Sequence, residues 1–183
     1  MALVDCYISV DIEADGPIPG DFSMSSLGAV NVDDPTQTFY AEFKPISDRF
    51  DEKASQVAGL DRQNLVAEGL DPAVGMAQFA AFIARVAGAN RPVFVGFNAT
   101  FDWSFVHWYF MHFLGRNPFG VAGLDIKAYY MGALGKTRWS ETTKRHLDPR
   151  FRSSRPHTHH ALDDALEQAE VFAKLRQHVA TKP

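Results

Sequence analysis

Apolar and polar positions alternate along this chain in blocks short enough to assign one element at a time. Residues 3–12 are mostly apolar and β-prone (Val4, Tyr7, Ile8, Val10, Ile12), which predicts a buried strand. Turn residues follow from Asp15-Gly16-Pro17 to Gly20-Asp21. Two more strands are expected at 26–32 and 38–43, joined by a turn at Asp33-Asp34-Pro35. Short helical pieces are expected at 51–57 and 61–66. Asp71-Pro72 supplies a cap and an N-terminal proline for a helix through Met76, Phe79, Ala80, Ile83 and Val86, stopping near Gly88. The pattern then gives a strand at 92–97, a helix at 103–114 ended by Gly115, a loop to Gly123 and a short helix at 125–134. Residues 135–158 are polar and basic with little periodicity. A final helix begins near His160 and carries Leu162, Ala165, Leu166, Ala169, Phe172 and Leu175. Strands followed by alternating helices and a strand imply an α/β domain with a mixed sheet.

Composition fits one domain spanning 1–183. The 183 residues are 46% apolar with a formal net charge of −4, enough to bury roughly 70% of the unfolded surface. Cys6 is the single cysteine, which excludes an internal disulfide and a cysteine-based zinc site. The first residues, MALVDCYISVDIE, lack a basic region and a continuous apolar stretch, so no signal peptide is expected. Gln78 and Arg85 break the best membrane-span candidate. These features lead to the expectation of a soluble cytoplasmic protein. The mildly acidic average also argues against nucleic-acid binding through overall basicity, although it leaves room for a local basic patch.

Three acidic clusters carry the candidate chemistry. Asp11 and Glu13 are two apart on the first strand and point to one face. Apolar neighbours on both sides imply burial, and buried paired carboxylates call for a cation such as Mg²⁺. Asp102 follows a strand, within Asn98-Ala99-Thr100-Phe101-Asp102. It either joins that pair at the carboxyl end of the sheet or caps the next helix. The third cluster, His157-Thr158-His159-His160-Ala161-Leu162-Asp163-Asp164, enters the last helix. Its acids complement the helix dipole whatever else they do. A zinc site from His157, His159 and His160 is an alternative with no recognised spacing. Periodicity does not separate Asp163 from Asp164, since both lie off the apolar stripe.

In order and context these motifs, VDIEADG at 10–16, GFNATFD at 96–102 and HHALDDA at 159–165, resemble the DEDDh family of 3′–5′ exonucleases. The family includes polymerase proofreading subunits, oligoribonuclease and ribonuclease T. The resemblance implies a ribonuclease H-like fold, a five-stranded mixed β-sheet flanked by helices with its second strand antiparallel to the others. It implies that Asp11, Glu13, Asp102 and Asp164 hold two divalent ions, Mg²⁺ or Mn²⁺, and that His159, five residues before Asp164, is the general base rather than His160. Its implied reaction is metal-dependent hydrolysis of RNA or DNA from the 3′ end to nucleoside 5′-monophosphates. A single-stranded 3′ end would be the substrate, bound with help from Ala14 and Asn98. Many relatives are homodimers, which extends to a homodimer here without identifying an interface. The sequence departs from the family in having Ala14-Asp15 after Glu13, where a threonine is usual, and Phe97 before Asn98. The competing readings are a non-catalytic nucleic-acid-binding module on the same fold and a ribonuclease H-like endonuclease.

The average charge conceals a local excess. Residues 136–160 carry a net +5, with Arg150 and Arg152 among the candidate phosphate contacts. The plain alternative is a solvated basic loop. Phe101, Phe105, Trp108 and His112 recur at helical spacing and predict a core stripe, which leaves Trp103 and Trp139 as candidates to stack a base.

Overall fold

Because successive side chains of a strand face opposite ways, the central strand can serve two layers at once. Strand β1 (Asp5–Ala14) does so at the middle of a five-stranded sheet ordered β3-β2-β1-β4-β5 in the computed structural model, which describes residues 4–54 and 59–181. Strand β2 (Met24–Asn31) is antiparallel to β1 and to β3 (Asp34–Glu42), and β4 (Arg91–Gly96) is parallel to β1 and to β5 (Gly123–Asp125). Only β2 therefore runs against the rest, as the resemblance implied.

Even-numbered residues of β1, from Cys6 to Ala14, pack with Met76, Phe79, Phe82 and Ile83 of helix α2 (Pro72–Ala87) and with Phe105, Val106 and Tyr109 of helix α3 (Thr100–Tyr109). The opposite face is covered by helix α4 (Ile126–Leu134) and the long helix α5 (Ala161–Ala180), through Ile126, Tyr130, Phe172 and Leu175. Helix α1 (Arg62–Glu68) is a short piece capped by Asp61. Of the helical stretch expected at 51–57, residues 52–54 are helical and the remainder lies largely outside the described residues.

Several boundaries differ from the pattern-based expectation. The turn expected at Asp33-Asp34-Pro35 closes earlier, and Pro35 lies inside β3. That strand is at the sheet edge, where a missing N–H costs no ladder bond. Strand β5 is three residues long, too short to show a period. Helix α3 begins at Thr100 and continues as a π-helical turn, Phe110–Leu114, to Gly115 at φ 67°. The expected core stripe is rotated: the buried side chains are Asp102, Phe105, Val106, Tyr109 and Phe110, while Phe101 is 38% exposed and His112 faces outward. Asp102 must face the sheet, and the rest of the helix follows it. Trp103 packs edge-on against Phe94 and stacks on His107, so its ring is largely taken. Among the described residues no helix is long and apolar enough to cross a membrane.

Candidate active site

Parallel pairing of β1 and β4 puts their carboxyl ends on one edge of the sheet, so the end of β1 and the turn into α3 meet there. Asp11 and Glu13 project from β1 toward the α5 side, and Asp164 enters from the first turn of α5, 1% exposed. One oxygen from each of the three lies within 4.8 Å of the others. Asp102 comes from the opposite layer and is buried. The Ile12 N–H, between Asp11 and Glu13 in the chain, donates to Asp102 Oδ1 at 3.0 Å. Asp102 thus adjoins the cluster without belonging to its tightest trio. Asp163 points elsewhere, accepting from Thr158 Oγ1 at 3.3 Å with its carboxyl 53% exposed.

Acids so placed oppose the ionisation of Asp11 and Glu13. Burial, then the charges of Asp164 and Asp102, push Glu13 up to about 8. Burial pushes Asp102 up to about 7, against hydrogen bonds from the Ile12 N–H and its own N–H. Asp11 is raised by burial and by Asp102, Asp164 and Glu13. The Lys144 ammonium draws both Asp11 and Asp102 back down. An all-oxygen donor set that is costly to ionise alone fits hard divalent cations of the Mg²⁺ or Mn²⁺ kind.

The histidines divide into two groups. His157 Nδ1 lies 2.9 Å from Asp164 Oδ1, and the rings of His157 and His159 meet at 4.4 Å. His159 adopts φ 56°, and its N–H donates to Asp164 Oδ2 at 3.1 Å. The Thr158 N–H donates to Asp164 Oδ1, also at 3.1 Å. His160 is instead the N-cap residue of α5 and stacks on Tyr40 at 4.6 Å. The three histidines therefore do not form the zinc trio that their sequence proximity allowed. A tight group of His157, His159 and Asp164 exists in its place.

No family model matches the chain. It is 43% identical over 169 residues to the 3′–5′ DNA exonuclease Cap18 of Escherichia coli, covering 92% of this chain and 90% of that protein. The chain belongs to the 3′–5′ exonucleases. Its fold also matches E. coli exonuclease I in complex with a dA16 oligonucleotide, with a TM-score of 0.73 at 14% identity over 96% of this chain. It spans 41% of the length of exonuclease I. Pop2p of S. pombe in a Mg²⁺- and Mn²⁺-bound form matches with a TM-score of 0.66 at 14% identity, over 93% of this chain and 82% of that one.

Around the exonuclease's carboxylates sit residues that none of the three motifs marks. Buried Gln168, one turn after Asp164 on α5, donates through Nε2 to Asp11 Oδ1 and accepts the Phe97 N–H at 2.8 Å. Its spacing of four from Asp164 is the one signal the sequence offers for it. Lys144 donates to Glu167 and lies 3.1 Å from His157 Nδ1. It comes from an irregular segment, so no periodicity announces it. Asp125 accepts from the Ala99 N–H at 2.7 Å and caps α4, tying β5 to the turn before Asp102.

Both departures from the family pattern find structural partners. Asp15 accepts from Arg62 and from the Ser23 N–H, away from the acid cluster. Phe97 carries Lys144 over its ring at 5.6 Å. Ala14 is buried at the irregularity that ends the β1–β2 pairing, and Asn98 holds φ 67° and accepts from Lys127 at 3.1 Å. In the basic segment, Arg150 forks onto Asp148 at 3.0 and 2.8 Å, and Arg152 donates to the Leu147 and Arg145 carbonyls at 2.9 and 3.1 Å. Lys136, Arg145 and Arg155 have no carboxylate partner among the described residues.

Proposed function

We propose that the chain hydrolyses single-stranded DNA from its 3′ end, releasing nucleoside 5′-monophosphates, with two divalent ions held by Asp11, Glu13, Asp102 and Asp164. The observation that carries this reading is the convergence of Asp11, Glu13 and Asp164 within 4.8 Å, with Asp102 tied to the Ile12 N–H beside them. DNA is favoured by the identity to Cap18, and a single strand by the oligonucleotide complex of exonuclease I. Mg²⁺ or Mn²⁺ is favoured by the oxygen donors and by the Pop2p structure.

Bound at these carboxylates, the ions would supply positive charge to the scissile phosphate and acidify the attacking water. The chain's own part is to remove that water's proton and hold the phosphate. His159 is assigned as the base: the water oxygen bonds to phosphorus, the bond to the 3′-oxygen of the penultimate nucleotide breaks, and the water's proton passes to the imidazole. A second reading gives this task to His157, whose ring stands against Asp164. Ala14 and Asn98 are the proposed contacts to the terminal nucleotide. Arg150 and Arg152 are phosphate candidates through the guanidinium nitrogens not engaged by Asp148 or by the Leu147 and Arg145 carbonyls.

A 5′-labelled single strand incubated with the protein and Mg²⁺ or Mn²⁺ is expected to shorten stepwise, and chelation or Asp102→Ala to stop it. His159→Ala should lower kcat by about 10²–10⁴-fold, and His157→Ala by much less; the opposite order transfers the base to His157. Circular single strands should survive, since cleavage of a circle indicates an endonuclease. RNA run in parallel tests the DNA preference. A metal-replete protein that leaves every strand intact sinks the reading.

A further inference from the structure

Lys127, on α4, is a cation 8% exposed with no carboxylate in ion-pair contact among the described residues. Buried lysines are rare without such a partner. Its Nζ donates to Asn98 Oδ1 at 3.1 Å and lies 4.2 Å from the ring centroid of Trp139. Asn98 belongs to the turn that delivers Asp102. Two contacts therefore lead from the acid cluster's own turn to an indole in the basic segment.

Trp139 is 49% exposed, and no aromatic ring packs against it among the described residues. It opens a short 3₁₀ turn, Trp139–Thr142, whose last residue is fully buried and donates its hydroxyl to the Trp139 carbonyl at 2.7 Å. One face of the indole meets a fixed cation, the backbone beneath it is anchored, and much of the ring remains open. Such a surface is ordered before any ligand arrives. A flat π-system within a basic segment matches what a single strand offers, an unpaired base on a charged backbone.

We propose that Trp139 is a stacking subsite for one nucleobase of the single strand, and that Lys127 is its positioning residue. The link runs from the Asp102 turn through Asn98 and Lys127 into the basic segment, and the position of the base is read by the scan below. Stacking tolerates every base but requires it to be unpaired, so the subsite would favour single strands over duplex ends. The proposal rests on the exonuclease reading for its ligand, a single strand of nucleic acid.

The test is an abasic scan. Binding of labelled oligonucleotides carrying one abasic nucleotide, moved stepwise from the 3′ end, is followed by fluorescence anisotropy on an Asp102→Ala background, so that the strand is not consumed. Trp139→Ala should weaken binding of the intact strand about tenfold or more, and Trp139→Phe should recover most of it. One abasic position should reproduce that loss with Trp139 present and add nothing in Trp139→Ala. Lys127→Met should weaken binding through the same subsite, adding little to Trp139→Ala, with Lys127→Arg recovering most of it. In the active protein, Trp139→Ala should raise KM with kcat little changed. Abasic losses that add to Trp139→Ala at every position overturn the proposal, as does a Trp139→Phe variant no better than Trp139→Ala. A wild-type protein that degrades nothing would defeat the exonuclease reading, whereas the abasic scan would still decide the stacking.

Discussion

Glu13, pushed up to about 8, and Asp102, pushed up to about 7, make the site a titrating part of the fold. In the unfolded chain both return to about 4. A raised folded-state value means that the folded protein holds the proton more tightly. Their contribution to stability is therefore complete below about pH 4 and is lost as pH rises through 7 and 8. Divalent ions held by the ionised carboxylates would oppose that loss. Without divalent ions, Tm should fall between about pH 4 and pH 8 and level off above, and Mg²⁺ or Mn²⁺ should raise it more at the upper end. A metal-induced shift in Tm that is the same at both ends would contradict the assignment. The same residues show what a sequence can disclose. Asp11 and Glu13 are legible because a strand's period of two puts them on one face. Asp164 and Asp163 are inseparable by helical period, because burial of Asp164 depends on where the first turn of α5 meets the sheet. His157 and Lys144 reach the cluster from irregular backbone, for which residue spacing gives no direction.

That meeting of helix and sheet is set by a glycine. A Cβ at Gly28 of β2 would stand 2.3 Å from the Ala161 carbonyl carbon and the Leu162 nitrogen, both backbone atoms of α5. Gly28→Ala must lift the start of α5, and with it Asp164 and the backbone of His159. We expect a stability loss of about 1–3 kcal/mol in chemical denaturation, together with weaker Mn²⁺ binding by calorimetry and unchanged far-ultraviolet circular dichroism. Unaltered Mn²⁺ affinity would show that the helix start is not what seats Asp164. Elements with many periods or strong caps, such as α2 behind Asp71-Pro72, are readable in advance. The three-residue β5 and the π-helical turn after Tyr109 are not, because each is defined by its neighbours rather than by its own pattern.

Across the whole molecule, a net −4 hides a segment of +5 at residues 136–160 beside four acids. Of the segment's seven cations three are paired: Arg138 with Glu141, Arg150 with Asp148 and Lys144 with Glu167. The charge free to meet a strand is thus on Lys136, Arg145, Arg155 and Arg152, the last bonded only to carbonyl oxygens. Replacing Lys136 and Arg145 by glutamine should weaken binding and flatten its dependence on log salt by about 0.7 for each phosphate no longer neutralised. Arg150→Gln should change the slope less, since it trades against Asp148. Equal effects would mean that Arg150 leaves its carboxylate when the strand binds. The excess is visible in the order of residues, but its distribution is not, because pairing with Glu167 crosses from the segment to α5.

His159 holds its left-handed backbone at φ 56°, a conformation that costs a residue with a β-carbon about 1–2 kcal/mol. Glycine would relieve it and keep the N–H bond to Asp164 Oδ2. The imidazole thus sits where the backbone geometry favours a smaller residue, and the fold bears the cost of holding it beside Asp164.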